Sequence, residues 1–225
     1  MRNGNVAYLL LGAVVVAGIA AAAIVLPQRS SPPVIEAQQN KSPSDVAVSP
    51  SQEKPKMITS KFAESKSGRV EKAVFGAGCF WGVEAAFRKT PGVLSTTVGY
   101  AGGAVVNPTY EQVCTDTTGH AEVVQVEFDP GQITFEQLLE VFWTNHNPTQ
   151  LNYQGPDYGK QYRSVVFYVD ATQRATAEAS KERLAASGKF SKPVVTQIAP
   201  LTTFYAGEEY HQQYLEKRGL SHCHL

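Results

Sequence analysis

The sequence predicts an α+β fold: a two-layer, ferredoxin-like sandwich with a mainly antiparallel sheet and additional C-terminal elements. Three observations predict it. After about residue 70 of the 225, the first six regular elements run β-α-β-β-α-β, the order of the split βαβ motif. Residues 121–128 alternate strongly, with Val124, Val126 and Phe128 on one face, as in a half-buried strand. The chain is 43% hydrophobic and 10% aromatic, enough to bury a sizeable core.

The elements follow in order. Residues 72–75 form a short strand around Ala-Val-Phe, which Gly76-Ala77-Gly78 breaks. A helix spans 80–89, with Val83, Ala86 and Phe87 at helical spacing. Pro91-Gly92 makes a turn into a strand over 93–100, which Gly102-Gly103 ends. An irregular stretch leads to the strand 121–128 and the turn Asp129-Pro130-Gly131. Thr134 caps a helix running to about Thr144. Residues 145–161 are polar and irregular, with Pro148, Gly155, Pro156 and Gly159. A strand over 164–169, a helix over 171–186 and a last strand over 194–199 come next, and 204–215 reads as helical.

The first seventy residues belong to a different regime. Val6 to Leu26 is an unbroken uncharged, mostly apolar run of 21 residues. At about 1.5 Å per residue it spans roughly 30 Å, the thickness of the bilayer's hydrocarbon. Arg2 and the N-terminal amine place positive charge before it. Residues 1–27 therefore read as a transmembrane anchor or a cleaved signal, and the small residues around 17–23 keep both readings open. Residues 28–70, rich in Ser, Pro, Gln and Lys, cannot bury enough apolar surface to offset chain ordering and read as a disordered tether. The domain, 71–225, is then expected outside the cytoplasm, on the periplasmic side, either held at the membrane through residues 6–26 or secreted.

Lys plus Arg equals Asp plus Glu, at 20 each, so charge gives no case for nucleic acid. The three cysteines, Cys79, Cys114 and Cys223, are too few for a disulfide scaffold. Their number fits redox or nucleophilic chemistry better than stapling. Cys79 follows Gly-Ala-Gly and opens a helix, where unpaired N–H groups and a partial positive charge favour thiolate, the nucleophilic form. Phe80 and Trp81 set an aromatic surface beside the sulfur that suits a small apolar group such as a methyl. A structural cysteine in a Gly-rich turn, or the nucleophile of an amide hydrolase, would share this local pattern.

Further motifs occur in order: Gly78-Cys79-Phe80-Trp81-Gly82, Pro108-Thr109-Tyr110, Thr118-Gly119-His120-Ala121-Glu122, Gln161-Tyr162-Arg163-Ser164, and Glu209-Tyr210-His211-Gln212-Gln213-Tyr214. Over residues 72–225 the chain resembles the peptide methionine sulfoxide reductase A family. That resemblance implies thiol-dependent reduction of methionine S-sulfoxide, in proteins and as the free amino acid, without metal, flavin or nicotinamide. It implies that Cys79 attacks the sulfoxide sulfur and that Glu122, kept protonated by burial, supplies the proton. Tyr110 and Tyr162 would donate hydrogen bonds to the sulfoxide oxygen. Phe80 and Trp81 would hold the S-methyl group, and Asp157 would be a polar residue of the substrate site. Cys223 would resolve the Cys79 sulfenic acid as a disulfide, reopened by thioredoxin or a similar dithiol. The enzyme is expected to be a monomer.

Other residues read more plainly. Cys114, beside Val113, reads as a small buried hydrophobe. His120 reads as shaping the site and not as a base. Asn147 stands in His-Asn-Pro-Thr where the family usually has Asp. Two other classes remain in view. A Cys–His hydrolase or acyl transferase would turn over without reductant, and a non-catalytic peptide-binding domain would keep its binding without the Cys79 thiol.

Overall fold

The computed structural model describes residues 65–220. The apolar run 6–26, the tether as far as residue 64, and Cys223 lie outside the described residues. No helix among the described residues is long and apolar enough to cross a membrane.

The chain begins with β1 (Glu71–Ala77), α1 (Phe80–Arg88), β2 (Val93–Ala101), the short α2 (Tyr110–Cys114), β3 (Ala121–Phe128) and α3 (Phe135–Thr144). A two-residue hairpin, β4 (Tyr153–Gln154) and β5 (Asp157–Tyr158), precedes β6 (Ser164–Tyr168) and α4 (Ala171–Ala186). The chain closes with β7 (Gln197–Pro200), β8 (Phe204–Ala206) and α5 (Tyr214–Lys217). Six strands form one mixed sheet in the order β7-β6-β1-β3-β2-β8. All its pairs are antiparallel except β6–β7.

The alternation read in 121–128 divides the sheet into two faces. Val124, Val126 and Phe128 join Phe75, Phe80, Phe87, Leu138, Phe142 and Ala177 under a helical layer made by α1, α3 and α4. Phe75 is the hub: its ring stacks on Phe87, Phe135 and Phe142 at centroid distances of 4.9, 6.0 and 5.4 Å. Burying such a side chain contributes about 1.5–3 kcal/mol. On the other face Val74, Val123, Val165 and Phe167 pack against Ala199, Leu201 and Phe204. Thr134 caps α3 as expected: its side chain accepts the Gln137 N–H while Gln137 reaches back to the Thr134 N–H.

The expectation for 204–215 as a helix is overturned. Phe204–Ala206 is an edge strand paired with Gly99–Ala101 of β2. This close pairing requires Gly99, because a β-carbon there would lie 2.2 Å from the Tyr205 carbonyl oxygen. A 3₁₀ turn, Glu209–His211, and the four-residue α5 follow. The Gln212 side chain then continues the sheet: it accepts the Val98 N–H and donates to the Val98 carbonyl, both at 2.9 Å. Backbone pairing and this amide outcompete helical propensity.

The stretch before β3, read as irregular, contains α2. Its start was encoded in a capping box, with Thr109 accepting the Gln112 N–H and Gln112 accepting the Thr109 N–H. Thr109→Ala is expected to destabilise the domain by about 1 kcal/mol in chemical denaturation. An unchanged unfolding midpoint would mean that α2 does not depend on this cap.

Candidate active site

Cys79 sits where β1 becomes α1. The turn passes through Gly78 at φ +93°, and Cys79 occupies the N-cap position with its side chain half-buried. A β-carbon at Gly78 would also lie 2.7 Å from Gln154 Cγ, so both conformation and space demand glycine. Gln154 belongs to the β4–β5 hairpin, which therefore presses on the cysteine turn. Its amide accepts the Asn147 N–H at 3.0 Å and donates to the Asn147 carbonyl at 3.1 Å. The Asn147 side chain uses one oxygen, Oδ1, to accept the Thr149 N–H and hydroxyl at 3.0 and 2.8 Å. A carboxylate oxygen could do the same, so Asn and Asp are interchangeable for these two bonds.

Glu122 arrives from β3, opposite Tyr100 of β2. It is 2% exposed, and its Oε2 accepts the Phe80 N–H at 3.1 Å. A buried carboxyl group thus lies against the first turn of α1, one residue beyond the thiol. This pair is separated by 42 residues in sequence.

Two phenols converge on the same place. Tyr110 opens α2 and Tyr162 ends the 3₁₀ turn Lys160–Tyr162. Burial, then a hydrogen bond with Cys114, pushes the Tyr110 hydroxyl far above the ordinary phenol range. Burial does the same to Tyr162. Both hydroxyls are therefore protonated donors. Asp157, on β5, is half-buried, and desolvation raises its carboxyl. Tyr162 is held by its neighbour Arg163, whose guanidinium donates to the carbonyls of Lys160 and Gly119 and to the Gln197 side chain.

Cys114 corrects the sequence reading. It is exposed, and Val113 takes the core position instead. The Cys114 thiol lies at the site, hydrogen-bonded to Tyr110, and partial desolvation pushes it up. Position i to i+4 on α2 brings the two side chains together.

The aromatic wall is completed from the C-terminal segment, to which local sequence pattern gives no role. The Trp81 indole N–H donates to His211 Nδ1 at 3.1 Å. Tyr214 stacks on Trp81 at 3.8 Å, and the Arg218 guanidinium covers Tyr214 at 4.3 Å. The buried His211 ring also lies 5.1 Å from Phe80 and 4.4 Å from Tyr110. A cavity of about 510 Å³ opens beside Trp81 toward Glu84, Arg88, Gln213 and Leu220, between α1 and α5 and away from Glu122.

His120 and His146 are committed elsewhere. His120 accepts the Gly103 N–H through Nδ1 and donates from Nε2 to the Val105 carbonyl. His146 donates from Nδ1 to Phe142 and accepts through Nε2 from Ser164, and burial lowers it to about 4. Neither ring has a nitrogen left to act as base for a hydrolase, so His120 shapes the site by tying the 103–105 loop to β3.

A mixed α/β fold with a cysteine at a helix start, beside a buried carboxyl and two protonated phenols, defines a thiol enzyme. The family model for peptide methionine sulfoxide reductase matches residues 71–225. The peptide methionine sulfoxide reductase MsrA of Acidobacterium capsulatum is 60% identical over 154 residues, covering 68% of this chain and 99% of that protein. The enzyme of the same name from Methanothermobacter thermautotrophicus is 61% identical over 157 residues, covering 70% and 93%. Among solved structures, methionine sulfoxide reductase A of Corynebacterium diphtheriae is 40% identical with a TM-score of 0.61, covering 69% of this chain and 78% of that one. Reduced Mxr1 of Saccharomyces cerevisiae is 35% identical with a TM-score of 0.64, covering 69% and 90%. The chain belongs to the peptide methionine sulfoxide reductase family, and it is an oxidoreductase acting on methionine sulfoxide.

Proposed function

We propose that the Cys79 thiolate attacks the sulfur of methionine S-sulfoxide while Glu122, as the neutral acid, protonates the oxygen. The Tyr110 and Tyr162 hydroxyls donate to that oxygen as charge develops on it, and Phe80 and Trp81 contact the S-methyl group. Asp157 contributes a polar contact near the sulfoxide. Oxygen passes to the cysteine: a thiol and a sulfoxide become a sulfenic acid and a thioether. The Cys79 sulfenic acid then condenses with the Cys223 thiol, releasing water and forming a disulfide. A thioredoxin-like dithiol reopens it by exchange. The observation that carries this reading is the contact of Glu122 with the Phe80 N–H, which sets a desolvated carboxyl beside the thiol's turn.

Racemic methionine sulfoxide, free and as the blocked amino acid, incubated with the protein and dithiothreitol, should lose only its S epimer. Loss of both epimers at equal rates would overturn the stereochemical reading. With thioredoxin as donor, Cys223→Ser should give one turnover per enzyme and then stop. Sustained turnover in that variant would remove Cys223 from the cycle.

The alternating antiparallel order β6-β1-β3-β2 supports a ferredoxin-like core, to which β7 and β8 add edges. The apolar run 6–26, with a positive charge before it, supports an extracytoplasmic enzyme held at or released from the membrane. Fractionation of cells expressing the full chain tests this: recovery in the cytoplasm alone would overturn it.

A further inference from the structure

One carboxylate outside the proposed chemistry touches several parts that carry it. Glu208 lies half-buried between β8 and the 3₁₀ turn. Its Oε1 accepts the backbone N–H of Tyr110 at 2.8 Å, and its Oε2 accepts the Tyr100 hydroxyl at 2.7 Å. Oε2 is also 3.9 Å from Nε2 of His211. That nitrogen is buried and has no hydrogen-bond partner. Because His211 Nδ1 accepts the Trp81 N–H, the neutral ring carries its proton on Nε2, on the side facing Glu208. Burial alone would raise the Glu208 carboxyl, but the donations from Tyr110 and Tyr100 outweigh it and hold it below the usual range. It is therefore an anion at neutral pH.

The bond to Tyr110 matters because of what is left to hold that residue. The cap of α2 secures Gln112 and Thr109, not the Tyr110 N–H. Five residues of helix confer little rigidity of their own. The direction in which the Tyr110 phenol leaves α2 is thus set at its first residue by a side chain 98 positions away. Tyr100, buried behind Phe80 and directly opposite Glu122 on β2, fixes the carboxylate's other oxygen to the sheet.

We propose that Glu208 is a positioning residue for the reductase reaction, clamping the start of α2 to the sheet so that the Tyr110 hydroxyl points at the sulfoxide oxygen. The clamp acts before substrate arrives and does not touch it. This inference rests on the proposed role of the Tyr110 hydroxyl. Glu208→Gln keeps the size of the side chain but replaces one of its two acceptor oxygens with a donor group, so one of the two bonds is lost.

A double-mutant cycle on the full chain tests it, with the first turnover (methionine formed per enzyme without recycling reductant) as the readout. Glu208→Gln should slow the first turnover by about tenfold with a Michaelis constant little changed, the scale of one lost hydrogen bond to a charged group. In the Tyr110→Phe background, where there is no hydroxyl to aim, the same substitution should slow it by less than about twofold. Tyr100→Phe, a milder loosening of the carboxylate, should show the same dependence on background and serves if Glu208→Gln does not fold. Equal losses with and without the Tyr110 hydroxyl would overturn the clamp and leave Glu208 a structural residue. If Tyr110→Phe alone reduces methionine sulfoxide at the wild-type rate, the hydroxyl's role falls, and the clamp falls with it.

Discussion

Cys79→Ser is expected to reduce turnover to background, a loss of about 10⁶-fold, the scale on which removing a covalent nucleophile acts. The chemistry requires a group that attacks sulfur and then carries its oxygen as a sulfenic acid. An alcohol is a far weaker nucleophile and has no such oxidised state. The fold should survive, because position 79 is the N-cap of α1 and serine is among the best residues at an N-cap. An unchanged circular dichroism spectrum with no methionine formed is the predicted pair of results. Residual turnover within about a hundredfold of wild type would require a different nucleophile, and exposed Cys114, hydrogen-bonded to Tyr110 in the same cleft, would be the first to test.

Glu122→Gln is expected to slow the first turnover by about 10²–10⁴, the usual contribution of a positioned general acid. That is about 3–5 kcal/mol on the barrier. The amide oxygen can still accept the Phe80 N–H, so the residue that loses its proton keeps its seat. The substitution therefore separates proton delivery from placement. The later steps, disulfide formation and reduction, should keep their rates when the sulfenic acid is generated by peroxide. A wild-type rate for the first turnover would remove Glu122 from the chemistry.

Much of this protein is legible one segment at a time. The alternation of 121–128, the Thr134 cap and the strand–turn–helix around Cys79 all follow from neighbours in sequence, and the structure keeps each of them. The failures have one physical origin: local pattern says nothing about a partner brought from afar. Residues 204–206 lack strong strand periodicity and become a strand because β2 offers an edge with room at Gly99. Cys114 beside Val113 looks apolar, but the five-residue α2 spends its single inward position on Val113 and turns the cysteine toward Tyr110. The site shows the same division. Cys79, Glu122, Tyr110 and Tyr162 stand in motifs of the sequence, whereas the meeting of Glu122 with Phe80, of Glu208 with Tyr110 and of His211 with Trp81 exists only in three dimensions.

The chain has two tryptophans, and the fold gives them opposite fates. Trp143 is 3% exposed inside the core, its indole N–H held by Ser180 at 2.9 Å. Trp81 is half-buried in the active site, flanked by His211, Tyr214 and, beyond Tyr214, Arg218. One fluorophore is therefore a constant reference, and the other sits beside the Cys79 turn, against the C-terminal segment. A change in the protein's intrinsic emission on adding methionine sulfoxide is therefore expected to report on Trp81, in the native chain and without any attached dye.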